Sequence, residues 1–187
     1  MSYQNQSALV IGAGISGFAA AAYLAAAGAR VTLSDAKDEA DAEKDALTQK
    51  HIEDLRAQGI SCVFGAQREE LLAGTDLIVL SPAVPERIPL VTAARARGIR
   101  VTTEVELAGE IARAPIYAIT GTNGKTTTTT LLGELLRAHF ASVGVGGNIG
   151  VPLIDVAQEI PADGAIAAEI SSYQMEATAH FHAAIVA

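Results

Sequence analysis

The sequence predicts an α/β protein of two successive parallel-sheet units, and three observations carry that reading. Short β-branched runs alternate with Ala-rich helical stretches, the pattern of parallel strands covered by helices. A GAGISG turn at 12–17 joins the first such run to the first helix. A second glycine-rich turn, GTNGKT at 121–126, does the same after Pro115. Residues 1–103 are therefore read as a Rossmann-like domain, and residues 104–187 as the first part of a P-loop-type mononucleotide-binding α/β central domain.

Taken in order, Ala8–Ile11 reads as a strand, Ser16–Ala27 as a helix closed by Gly28, and Arg30–Ser34 as the second strand. From Asp35 to Gln58 a charged segment gives loop and helix, with Ile52 and Leu55 at helical spacing and Gly59 as a stop. Ser61–Phe64 and Asp76–Leu80 are further strands, Leu90–Arg97 a helix stopped by Gly98, and Ile99–Thr102 a short strand. Glu104–Arg113 reads as a linking helix. The second unit then runs through a strand at Ile116–Thr120, a helix at Lys125–His139 and a strand around Val143–Val145. A GGNIG loop and a helix follow, then a strand at Gly164–Ile170, a polar stretch and a last apolar run, Ala183–Ala187. That run reads as a strand with nothing after it, so a longer parent chain is expected.

Half of the residues are hydrophobic, 18% are charged and 4% are aromatic, which gives ample aliphatic material for buried cores and no disorder signature. The formal charge of −8 and the lack of any Lys/Arg run argue against a general nucleic-acid binder. Phosphate, if bound, must be held locally by backbone amides at helix N-termini. The lone Cys62 rules out an internal disulfide and fits a small buried hydrophobe in a reducing compartment. Although Ala8–Ala29 is uncharged, the preceding MSYQNQ has no positive charge and glycines interrupt the run, so neither a signal peptide nor a membrane span is expected there. A cytoplasmic protein is expected.

In GAGISG the first glycine permits the tight turn, the second lets backbone approach a diphosphate and the third lets strand and helix pack. Asp35, at the end of the second strand, is placed to accept a ribose or base hydrogen bond. Alone, this motif would suggest a nicotinamide cofactor, or only strand–helix packing. GTNGKT is the more specific signal: amides free for phosphate oxygens, the Lys125 ammonium for the β and γ phosphates and the Thr126 hydroxyl for Mg²⁺. It is the shorter GxxGK[ST] loop, since the full Walker pattern would need glycine at Ile119. Thr126–Thr130 is a poor helix start on propensity, which ligand contacts at Thr126 and Thr127 would explain. Glu169, after a run of small apolar residues, sits where a Mg²⁺ ligand belongs, with Glu176 as a competitor. Asn148 offers both donor and acceptor from the GGNIG loop, unless that loop serves only as a turn. His180 and His182 lack a third ligand for a metal.

In this order, GAGISG with Ser34-Asp35, SPAVP at 81–85, AITGTNGKTTT, GVGGNIGVP and EISSYQME resemble the Mur ligase family over the whole chain. The branch that adds D-glutamate to UDP-N-acetylmuramoyl-L-alanine is the best fit, because the alanine-adding branch typically carries His where this chain has Asn123. The resemblance implies ATP bound by Gly121, Thr122, Asn123, Gly124, Lys125, Thr126 and Thr127, and Mg²⁺ by Thr126 and Glu169, with Lys125 and Glu169 catalytic. It implies that Gly14, Ile15, Ser16 and Asp35 lie near the uridine and diphosphate of the substrate, that Ser81 also binds the substrate, and that Asn148, Ser171 and Gln174 contact the muramoyl-alanine portion. No NAD is then needed. Two departures touch the uridine contacts: Ala36-Lys37 replaces a hydroxyl and an arginine, and Ala83 replaces a glycine. A monomeric, ATP-dependent amide ligase of peptidoglycan precursor synthesis is expected, and this chain by itself is expected to bind the UDP substrate without turning it over. The alternatives are another ligase of the family, a non-catalytic nucleotide-binding fragment and a nicotinamide-dependent oxidoreductase.

Overall fold

The computed structural model describes residues 3–42, 44–176 and 178–187. The chain forms two compact units, Met1–Glu104 and Val105–Ala187. Among the described residues no helix is long and apolar enough to cross a membrane.

The first unit holds β1 (Ser7–Ile11), α1 (Ile15–Ala26), β2 (Arg30–Asp35), α2 (Glu39–Ala42), α3 (Ala46–Ala57), β3 (Ser61–Phe64), β4 (Leu77–Leu80), α4 (Pro89–Ala96) and β5 (Arg100–Thr103). Its sheet runs β3-β2-β1-β4-β5 and every pairing is parallel. The central strands β1 and β4 are apolar on both faces because helices cover both. Leu9, Ile11, Ile78 and Leu80 pack there against Leu90, Val91 and Ala94 of α4. A Cβ on Gly17 would lie 1.9 Å from the Gly12 carbonyl oxygen, so only glycine lets α1 come this close to the turn after β1. Strand order reverses at β1, which opens a crevice at the C-terminal ends of β1 and β4. The charged segment after β2 is two helices rather than one. Asp45 separates them, its carboxylate accepting from the Thr48 N–H at 2.8 Å and hydroxyl at 2.7 Å as the N-cap of α3.

The second unit holds α5 (Glu104–Ile111, whose first residue closes the first unit), β6 (Ile116–Ile119), α6 (Lys125–Arg137), β7 (Val143–Gly147), α7 (Leu153–Glu159), β8 (Ala165–Glu169), α8 (Ser172–Glu176) and β9 (Ile185–Val186). Its parallel sheet runs β7-β8-β6-β9. All of β8 is buried, and its small side chains admit α6 and α7 close to the sheet. The polar stretch after β8 contains α8, which the sequence reading left unassigned. Between α8 and β9 the chain is tied to α5. One oxygen of the buried Glu106 accepts the N–H groups of Ala179, His180 and Phe181, the last at 2.8 Å. The Phe181 ring fills the space over Gly109, where a Cβ would lie 2.9 Å from it.

Candidate active site

In the second unit β6 delivers the chain into the exposed loop 120–124, and Gly124 ends it at φ 80° as the N-cap of α6. A glycine cap has no side chain to satisfy the first helical amides, and the first helical bond is donated by the Thr128 N–H to the Gly124 carbonyl. The N–H groups of Lys125, Thr126 and Thr127 thus point out of the helix start, where the macrodipole favours an anion. Lys125 lies over this loop, its ammonium donating to the Gly121 carbonyl at 2.8 Å.

Glu169 ends β8 between the ends of its two neighbours, opposite Ile119 of β6 and Gly147 of β7. It is 2% exposed. One carboxylate oxygen accepts the Thr126 hydroxyl at 2.7 Å and the other accepts the Asn148 side-chain N–H at 2.9 Å. The Asn148 backbone N–H also donates to the Glu169 carbonyl at 2.7 Å. Gly147 makes this approach possible: at φ 105°, a Cβ there would stand 2.2 Å from the same carbonyl oxygen. Thr126 from the first turn of α6, Asn148 from the loop after β7 and Glu169 from the end of β8 therefore form one cluster. The sequence reading paired Thr126 with Glu169 and missed the bond from Asn148, whose only signal was its place at the C-terminal end of a parallel strand.

Ser171 and Gln174 form a second cluster. The Ser171 N–H donates to the Gln174 side-chain oxygen at 2.8 Å, and the Gln174 N–H donates to the Ser171 hydroxyl at 3.2 Å. This reciprocal cap starts α8 and leaves the buried Gln174 side-chain nitrogen without a partner. The side chain of Glu176 lies outside the described part of the structure. The His180 backbone is held by Glu106, and the His182 ring nitrogen Nδ1 sits 2.9 Å from the Ala183 carbonyl. Among the described residues no three His, Cys, Asp or Glu side chains converge as metal ligands.

In the first unit the glycine loop shows the same logic. Gly14 caps α1 without a side chain, and the Phe18 N–H makes the first helical bond to the Gly14 carbonyl. The amides of Ile15, Ser16 and Gly17 are left for an anion. The buried Ser81 lies across the crevice at the end of β4, with its Cβ 2.7 Å from where a Gly12 Cβ would be. Both Asp35 oxygens are engaged by backbone, one by the Ala13 N–H at 2.7 Å and the other by the Lys37 N–H at 2.9 Å. Asp35 thus ties together the loops after β1 and β2. Among the described non-glycine residues only Asn5 has a positive φ, so Ala83 stands in backbone that needs no glycine.

Two family models match the chain in series: "Mur ligase MurD-like, N-terminal domain" over residues 6–103 and "Mur ligase middle domain" over residues 119–187. Relatives named UDP-N-acetylmuramoylalanine--D-glutamate ligase include one from Thermoanaerobacter sp. (strain X514), 44% identical over 97% of this chain and 38% of the relative. Another, from Trichlorobacter lovleyi, is 44% identical over 100% of this chain and 41% of the relative. The chain thus spans about two fifths of the length of these curated relatives. A solved structure of the UDP-N-acetylmuramate:L-alanyl-gamma-D-glutamyl-meso-diaminopimelate ligase from Neisseria meningitides superposes with a TM-score of 0.58 at 18% identity, covering 97% of this chain and 59% of that one. The UDP-N-acetylmuramate-alanine ligase from Thermotoga maritima superposes with a TM-score of 0.53 at 21% identity, covering 89% of this chain and 37% of that one. These two likenesses speak for the fold. With one family matched in order across both units, and the phosphate-ready helix starts in each, the chain belongs to the Mur ligase family.

Proposed function

We propose that the chain is the substrate-binding and ATP-binding part of an ATP-dependent ligase that joins D-glutamate to UDP-N-acetylmuramoyl-L-alanine, acting as a cytoplasmic monomer. The observation that carries this reading is the Thr126–Glu169 pair beside the open start of α6, with Lys125 over the loop. The donor set, one hydroxyl and one carboxylate, fits a small hard cation. Thr126 can keep its proton on Glu169 while offering a lone pair. Mg²⁺, held by Thr126 and Glu169, would supply neutralisation of the phosphate charge.

The chemistry needs activation of a carboxylate, whose direct displacement by an amine would have to expel oxide. An oxygen of the alanyl carboxylate attacks the γ-phosphorus, the bond to the ADP oxygen breaks, and an acyl phosphate forms. The amine of D-glutamate then attacks the acyl carbon, the bond to the phosphate oxygen breaks, and the proton lost from the nitrogen passes to the departing phosphate or to solvent. Lys125 and the amides at the start of α6 hold the phosphates in line and take up their developing charge, and Glu169 fixes the cation's place. In the first unit, the amides of Ile15, Ser16 and Gly17, with Gly14 and Ser81, are assigned to the diphosphate of the UDP substrate. Asp35 is assigned to the uridine end, Asn148, Ser171 and Gln174 to the muramoyl-alanine end.

In the complete protein, Lys125→Ala is expected to abolish acyl-phosphate formation, read as ADP release in single turnover; near-normal release refutes the assignment. For this chain, calorimetric titration with UDP-N-acetylmuramoyl-L-alanine is expected to show binding where NAD⁺ shows none. Binding of NAD⁺ alone would reverse the reading of the first unit.

A further inference from the structure

We propose that Asn148 is a positioning residue for Glu169, fixing the rotation of the carboxylate that receives the divalent cation, an inference that rests on the metal reading above. A buried carboxylate at the end of a strand is free to rotate about its terminal torsion unless both oxygens are held, because that torsion has no sharp staggered wells. Here both are held, and from different elements. Thr126 grips one oxygen from the first turn of α6 and Asn148 grips the other from the loop after β7. Since an ionised carboxylate only accepts, Asn148 must present its N–H₂ to it, and its own carbonyl oxygen is turned away from Glu169.

The loop that carries Asn148 is itself fixed to Glu169. Its backbone N–H donates to the Glu169 carbonyl, and the Gly147 N–H donates to the Val151 carbonyl at 2.8 Å, closing the loop on itself. Gly147 brings the backbone to a distance no Cβ would allow. Asn148 is therefore anchored at its main chain and reaches Glu169 with its side chain from a rigid base, the arrangement by which an outer residue orients a metal ligand. Its free carbonyl oxygen leaves it able to touch a substrate as well. A role confined to substrate contact would, by contrast, leave the metal affinity untouched.

The test is Mn²⁺ binding to the full chain with a non-hydrolysable ATP analogue, read from the loss of the free-ion electron paramagnetic resonance signal. Binding of UDP-N-acetylmuramoyl-L-alanine is measured in parallel by calorimetry. Asn148→Ala is expected to weaken Mn²⁺ about tenfold or more with the UDP compound absent, so that a lost substrate contact cannot account for the change. Asn148→Leu, which keeps the volume and removes the N–H, is expected to do the same and serves should the alanine variant fail to fold. Glu169→Gln is expected to weaken Mn²⁺ at least as much. If Glu169→Gln weakens Mn²⁺ and both Asn148 variants bind it as the parent does, the positioning role is overturned. If Glu169→Gln leaves Mn²⁺ binding unchanged, the metal reading fails and takes this inference with it.

Discussion

Gly147 concentrates two constraints on one α-carbon: a backbone dihedral in the left-handed region and a carbonyl oxygen 2.2 Å from any added Cβ. Gly147→Ala is therefore expected to destabilise the chain by at least about 2 kcal/mol, read as a lower urea midpoint, because strain and overlap add at this position. The motif residues Lys125, Thr126 and Glu169 were legible in the sequence, since their chemistry dictates residue type and their spacing follows from strand, loop and helix. The bond from Asn148 to Glu169 was not, because it depends on the register in which Gly147 faces Glu169 across β7 and β8. Asp35 was legible as a carboxylate at the right strand end, but its two backbone partners were hidden. Those bonds depend on how the loops after β1 and β2 fold over each other.

Helix α6 opens on threonines that look wrong for a helix, and the structure divides them by task. Thr126 serves Glu169, the Thr130 hydroxyl returns to the Thr126 carbonyl at 2.8 Å, and Thr129 faces the interior. The buried Thr129 hydroxyl has no partner. Thr129→Val keeps the shape and removes the unsatisfied group, and is expected to stabilise by about 1 kcal/mol in urea unfolding. In α3, hydrogen bonds from the Thr48 side chain and then its backbone hold the Asp45 carboxyl below its usual pKa of 3.8. A lowered folded value means that the cap's contribution is present above the unfolded pKa and is lost as pH falls through the folded one. Asp45→Ala is thus expected to lower Tm at pH 7, with the difference from the parent shrinking below about pH 4. Most helices and strands were readable from periodicity to within a residue or two. Helix α8 was passed over because five residues carry no period, yet its Ser-x-x-Gln start was a readable capping signal.

The two units each carry their own sheet and their own glycine-capped helix start, so each can be charged with its own ligand. Saturating the chain with UDP-N-acetylmuramoyl-L-alanine at about 100 times its Kd is expected to stabilise it by about 2.7 kcal/mol, seen as a rise in Tm that NAD⁺ does not reproduce. The α/β architecture was visible in the alternation of runs, whereas the path from α8 to β9 was not, because Glu106 lies far from it in sequence. That path has a consequence of a different kind. Residues 179–181 have no regular secondary structure, and such segments ordinarily accept changes of length. Here three successive amides must arrive at one oxygen, and a ring must arrive over one glycine. One residue inserted or deleted among them would put the wrong amide on Glu106 and withdraw the ring from Gly109. Among sequences that keep Glu106 and Gly109, positions 179 and 180 should drift in side-chain identity while position 181 keeps its ring and the stretch holds its residue count.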